Sequence, residues 1–201
     1  MIRVKICGIT CSEDALAAAA AGADAIGLVF VAGSRRCVSV EQAAAICLAV
    51  PPFLTRVGLF VNAEPGDIAQ ILGRVSLDCL QFHGDESPEY CAAFQRPWIK
   101  ALAMGADLLP DWRPYAGADA LLFDSHGGGK LGGSGKTFDW SRLQAPNRPW
   151  ILAGGLSPDN VAGACQVLQP DAVDVSSGVE IEPGIKDHKR MQAFIEAVRH
   201  G

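Results

Sequence analysis

A thiol and a carboxylate, Cys7 at the end of "IRVKIC" and Asp124 at the end of "ALLFD", are the two side chains best placed by type and position to move protons. A thiol with a pKa of about 8.5 is mostly protonated at neutral pH, so Cys7 acts as a base only where positive charge favours its thiolate. Lys5 lies on the same face of an extended segment as Cys7 and could supply that charge, or could be held in an ion pair. Asp124 alone could act as an acid or cap the following loop through an Asx turn; a thiol at the corresponding end of another strand favours catalysis. Two later loops suit an anion. "AGGLSPDN" offers Gly154 and Gly155 for close backbone approach, and "SSGVE" offers N–H and hydroxyl donors from Ser176, Ser177 and Gly178 ahead of a short helix. Gln81 and His83 in "QFHG" share one strand face, either as ligands or as parts of a polar network.

Other motifs fail on spacing. Gly135-Lys136-Thr137 looks like the end of a P-loop, but the position where the first glycine belongs is Lys130, and Gly129 lies one residue too far back. His126, His188 and His200 are scattered and no His/Asp/Glu cluster has metal-ligand spacing, so no metal site is expected. There is no G-x-S-x-G elbow for a serine hydrolase. The seven cysteines are odd in number and form no C-x-x-C pair, which fits reduced thiols packed as small hydrophobes.

These residues need elements to hold them. Eight short apolar runs ("IRVKIC", "AIGLVFV", "TRVGLFV", "LDCLQFH", "PWIKALA", "ALLFD", "PWILAG", "DAVDVSS") alternate with helical stretches. Ser12, Ser39 and Ser157 lead into helices, Pro158 suits a first helical position, Gly22 follows a last turn, and "KDHKRMQAFIEAVRH" forms the final helix. The fold expected is α/β, a compact single-domain (β/α)8 TIM barrel over residues 1–201. The competing doubly wound sheet lacks its G-x-G-x-x-G fingerprint after the first strand. In such a barrel reactive groups stand at the C-terminal strand ends, and phosphate commonly sits after strands seven and eight. Arg3, Lys5 and Cys7 then point inward, as do Ala120, Leu122 and Asp124.

A net charge of −5, with no basic stripe, argues against nucleic acid. No signal peptide or membrane span is visible, so a cytoplasmic protein is expected.

"KICGIT", "QFHG", "LFDS", "GGSGKTFDW", "LAGGLSPDNV" and "DVSSGVE…PGIKD", in this order over nearly the whole chain, resemble phosphoribosylanthranilate isomerase of tryptophan biosynthesis. The resemblance implies an Amadori rearrangement of N-(5-phosphoribosyl)anthranilate to 1-(2-carboxyphenylamino)-1-deoxyribulose 5-phosphate. It implies Cys7 as general base, Asp124 as general acid, Arg36 on the anthranilate carboxylate, and no cofactor. The loop before Arg36 departs from the family's aromatic-proline and Ser-Pro-Arg pattern, reading Val31-Ala32-Gly33-Ser34-Arg35-Arg36, so Arg35 competes for that role. The glycine-rich stretch after Asp124 is expected to be a lid over the substrate. The expected partner is a phosphosugar, with no nucleic acid or membrane, and the protein a monomer or homodimer. Alternatives are another phosphosugar isomerase or epimerase, or a non-catalytic phosphate-binding barrel.

Overall fold

The computed structural model describes residues 1–104, 111–124 and 146–201. Eight parallel strands close into a barrel in chain order: β1 Arg3–Cys7, β2 Ala25–Val29, β3 Thr55–Phe60, β4 Cys79–Phe82, β5 Trp98–Ala103, β6 Ala120–Asp124, β7 Trp150–Ala153 and β8 Ala172–Val175. β8 returns to pair with β1, aligning Lys5 with Asp174. Every predicted strand is present.

The helices are α1 Ser12–Ala21, α2 Val40–Ala49, α3 Pro65–Leu72, α4 Pro88–Ala92, α5 Val161–Leu168 and α6 His188–His200. Ser39 forms a capping box with Gln42, and Gly22 ends α1 at φ 95°, in the left-handed region that glycine enters at little cost. Two expected starts are displaced. Cys11, not Ser12, occupies the N-cap of α1 and makes no side-chain cap bond. α5 begins at Val161 rather than near Pro158, because Asn160 accepts from the Ser157 N–H at 2.9 Å and donates to the Gly155 carbonyl at 2.9 Å, winding Ser157–Asn160 into a turn. Between β5 and β6 the described chain has a 3-10 turn at Arg113–Tyr115 instead of a helix. After β8 a 3-10 turn, Ser177–Val179, leads into an unpredicted hairpin of β9 Glu180–Glu182 and β10 Ile185–Lys186.

Alternation along the strands divides the core. Ile6, Ile26, Leu28, Phe60, Phe82, Leu121 and Leu152 face outward and pack under the helices. Val57, Cys79, Ile99, Leu122 and Ile151 fill the barrel interior. Above them, Cys7 packs with Val29 and Leu59 as the floor of the mouth. Five of the seven cysteines are buried, as expected for packed thiols, whereas Cys37 is exposed and Cys11 half-buried. Burial pushes Cys47 and Cys91 up to about 11 and Cys79 up to about 12, which disfavours their thiolates at neutral pH.

Candidate active site

The mouth is a cleft of about 670 Å³, of a size that suits a small metabolite. Cys7, Arg36, Gln81, His83, Asp124, Gly154, Gly155, Ser176 and Ser177 all line it. Lys5 and Gly178 do not. Lys5 lies one layer below Cys7, and Gly178 stands where an added Cβ would overlap the Leu156 carbonyl oxygen, so its bareness lets the loops after β7 and β8 touch.

Cys7 arrives from β1 with its side chain inward, as the alternation requires. Gly27, its register partner on β2, makes the room: an added Cβ there would stand 2.8 Å from the Cys7 sulfur and 3.1 Å from Lys5 Nζ. A glycine inside the run "AIGLV" signalled such an approach, though not its purpose. Burial raises the Cys7 thiol above its ordinary value, and Asp174 pushes the same way; Lys5 and Lys186 oppose. Lys5 is buried and paired with Asp174 at 2.9 Å. Burial alone would weaken the Lys5 ammonium, but Asp174 and Cys7 outweigh it and the pKa rises. Lys5 is thus ion-paired, as one reading expected, and its charge also opposes the rise that burial imposes on the Cys7 thiol.

Asp124 arrives from β6, with Oδ2 3.3 Å from His83 Nε2. His83 Nδ1 lies 3.2 Å from Gln81 Nε2, so the two polar residues of "QFHG" form a chain that ends on the carboxylate. Gln81 Oε1 and Ser176 Oγ are buried and find no hydrogen-bond partner among the described residues. Unmatched buried polar atoms are rare, and both belong to cleft-lining residues, which suits groups that await a ligand.

Gly154 (φ 85°) and Gly155 (φ 65°) turn the chain through left-handed conformations that glycine enters at little cost. The Ser176–Gly178 loop faces them and opens a 3-10 turn. Of the two competing arginines, Arg36 lines the cleft while Arg35 is exposed. Arg36 is held by Glu180 through two bonds, Nε–Oε1 at 2.8 Å and Nη2–Oε2 at 2.6 Å. Glu180, Lys186 and Asp174 were missed in the sequence. Asp174 had a signal, since it alternates inward in "DAVDVSS"; Glu180 and Lys186 stand on a hairpin with no strand-like pattern.

The expected lid, the P-loop-like segment and His126 lie outside the described residues. Among the described residues no helix is long and apolar enough to cross a membrane, and no group of three or more His, Cys, Asp or Glu could hold a metal ion.

Comparison with known proteins agrees with this fold. The family model described as N-(5'phosphoribosyl)anthranilate (PRA) isomerase matches residues 4–197. The N-(5'-phosphoribosyl)anthranilate isomerase of Acidithiobacillus ferrooxidans is 56% identical over 201 residues, covering 99% of this chain and 98% of that one. The phosphoribosyl anthranilate isomerase structure from Thermus thermophilus superposes with a TM-score of 0.87 at 40% identity, over 98% of each chain. Another phosphoribosyl anthranilate isomerase, solved in complex with reduced 1-(o-carboxyphenylamino)-1-deoxyribulose 5-phosphate, gives a TM-score of 0.82 at 40% identity over 99% of each chain.

Proposed function

Since the chain belongs to the N-(5'-phosphoribosyl)anthranilate isomerase family, an enzyme family of tryptophan biosynthesis, we propose that Cys7 and Asp124 carry out its Amadori rearrangement as general base and general acid. The observation that carries this reading is that both line one cleft with the two phosphate-type loops.

In this mechanism the substrate's phosphate sits on the Gly154-Gly155 and Ser176-Ser177 loops, whose backbone N–H groups need no counter-cation. The Ser176 hydroxyl gains an acceptor there. Arg36 meets the anthranilate carboxylate; Glu180 already engages Nε and Nη2, which fixes the guanidinium plane before substrate arrives. Asp124 protonates the furanose ring oxygen, the C1′–O bond breaks, and the anthranilate nitrogen lone pair forms the iminium. The Cys7 thiolate removes the C2′ proton, and that C–H electron pair neutralises the iminium to an enolamine. Tautomerisation protonates C1′ and releases the enol proton, giving the ketone. The substrate's own nitrogen is the electron sink, so the route needs no cofactor or metal.

His83 and Gln81 orient Asp124, while Lys5 favours the Cys7 thiolate as the positive iminium develops. One cytoplasmic catalytic domain spanning the chain would complete this reading.

The test is loss of substrate fluorescence with fresh N-(5-phosphoribosyl)anthranilate and no added metal or nucleotide. Cys7→Ala and Asp124→Asn are each expected to lower kcat by about a hundredfold or more while substrate still binds. Near wild-type turnover in either variant would remove that residue from its assigned role.

A further inference from the structure

The hairpin that follows β8 places a lysine where the reaction as proposed has no direct use for one. The Lys186 side chain is fully buried, and β9–β10 pairing sets it opposite Glu180. Its Nζ donates to Glu180 Oε1 at 2.7 Å, to the Cys7 carbonyl at 2.6 Å and to the Ser176 carbonyl at 3.2 Å. Three donors meet three acceptors, the full capacity of an ammonium. The acceptors belong to three different parts of the site: the end of β1, the loop after β8, and the carboxylate that grips Arg36.

We propose that Lys186 is a positioning residue for the reaction. Its ammonium ties together the backbone of the base, the backbone of the phosphate loop and the Glu180 clamp on the carboxylate-binding arginine, so one cation sets their spacing. The inference rests on the assignment of Cys7, Arg36 and Ser176 made above.

Two features set this apart from an ion pair that merely fills space. The first is that its carbonyl partners belong to cleft-lining residues. Cys7 ends β1 and Ser176 directly follows β8, and a shift of about 1 Å between reacting groups is enough to cost roughly a hundredfold in rate. The second is charge. Arg36, Glu180 and Lys186 alternate plus, minus, plus and leave one net positive charge beside a buried thiol. Cys7 is faced by Lys5 of its own strand, Asp174 of β8, Lys186 of β10 and Arg36 of the loop after β2. Lys186 is faced by Glu180, Arg36 and Cys7, and its backbone N–H is fixed by the buried Asp14 at 3.0 Å. Asp14 in turn meets His188 Nε2 at 2.9 Å, which anchors the hairpin to α1 and α6. Burial lowers the Lys186 pKa and Glu180 offsets part of that fall.

Loss of the Lys186 charge removes an interaction that favours the Cys7 thiolate, so the thiol pKa rises. The limb of kcat/KM that climbs as Cys7 deprotonates then moves to higher pH. A lysine that only filled space would leave that limb in place.

The experiment measures kcat, KM and the pH profile of kcat/KM for N-(5-phosphoribosyl)anthranilate with the full chain, wild type against Lys186→Met. The expected result is a fall in kcat/KM of roughly tenfold to a hundredfold, with the midpoint displaced upward. Lys186→Met alone leaves Glu180 with one cation fewer in a buried site, so Glu180→Gln/Lys186→Met is made in parallel; it removes both charges and protects the fold. The double variant keeps the same net charge beside Cys7, so there the midpoint is expected to stay near the wild-type value while kcat/KM still falls, because the tie between the Cys7 and Ser176 carbonyls is gone. An unmoved midpoint in Lys186→Met overturns the proposal, and where only the double variant folds, wild-type kcat/KM in it does so. Cys7→Ala, run alongside, separates the two failures: full activity there defeats the base assignment, whereas an inactive Cys7→Ala with an unmoved Lys186→Met midpoint defeats only the clamp.

Discussion

The two ends of the barrel handle polar groups in opposite ways. At the N-terminal end one device recurs four times: Asp24, Asp78, Asp119 and Asp171 each stand immediately before an even-numbered strand. Each accepts from a backbone N–H at the start of the preceding odd strand, Val4 at 2.8 Å, Arg56 at 2.8 Å, Trp98 at 2.9 Å and Trp150 at 3.0 Å. The aspartate N–H groups return the bond to the carbonyls of those same four residues at 2.8 to 3.1 Å. Among the described residues nothing recurs at the mouth. Cys7, Gln81, Asp124 and Asp174 occupy corresponding inward positions on four strands, yet each has different chemistry, and Gln81 Oε1 and Ser176 Oγ lack partners among the described residues. Closing a barrel poses the same steric problem at every strand pair, so one solution repeats. A reaction needs a different group at each atom of the substrate, so the mouth is irregular and unsatisfied until it is filled.

That contrast can be broken experimentally. The largest effect is expected at Gly27, where Ala would press a methyl group against Cys7 and Lys5. Gly27→Ala should lower kcat by roughly tenfold to a hundredfold, read in the fluorescence assay beside the melting midpoint. If kcat stays at the wild-type value, the thiol's position is not critical and the mouth is more tolerant than described.

At the other end, Asp24→Ala strands the buried Val4 N–H and releases Arg3 and Arg199, so it should cost about 1–3 kcal/mol in urea unfolding. Here kcat is expected to stay within about twofold of wild type, because nothing at the base touches substrate. A large catalytic loss with unchanged stability would dissolve the distinction between the two ends.

The smallest effect concerns acid. The Arg56 guanidinium holds the Asp78 carboxyl below its ordinary value; burial would raise Asp24, but Arg3, the Val4 N–H and Arg199 hold it below as well. A carboxylate depressed by folding contributes stability that is fully present above its unfolded pKa and disappears as pH falls through the folded value. The melting midpoint should therefore drop below about pH 4, with a shallower slope in Asp24→Ala. An equal slope in that variant would mean that other carboxylates dominate acid unfolding.

Much of this was legible in the residues. The eight apolar runs marked every strand of the barrel because parallel strands are covered on both faces, and period-two alternation put Cys7 and Asp124 inside the barrel. The glycines of "AGGLSPDN" gave the turn after β7. What escaped depended on distant partners. Ser12 has the chemistry of a cap but is the first helical residue, and Pro158 lies in a turn that Asn160 winds from both sides. Glu180 and Lys186 sit on a three-residue and a two-residue strand, too short to carry a pattern.

The sequence by itself determined the eight barrel strands and their inward and outward faces, and so the strand ends at which Cys7 and Asp124 stand, because each follows from local periodicity and side-chain chemistry. Only the tertiary structure decided that Arg36 and not Arg35 turns into the cleft, that Lys5 is held by Asp174, and that one buried ammonium joins the ends of β1, β8 and the hairpin. Those contacts span 144 to 179 residues of chain wherever they link the C-terminal segment back to β1 or to Arg36, and no local rule of spacing reaches that far.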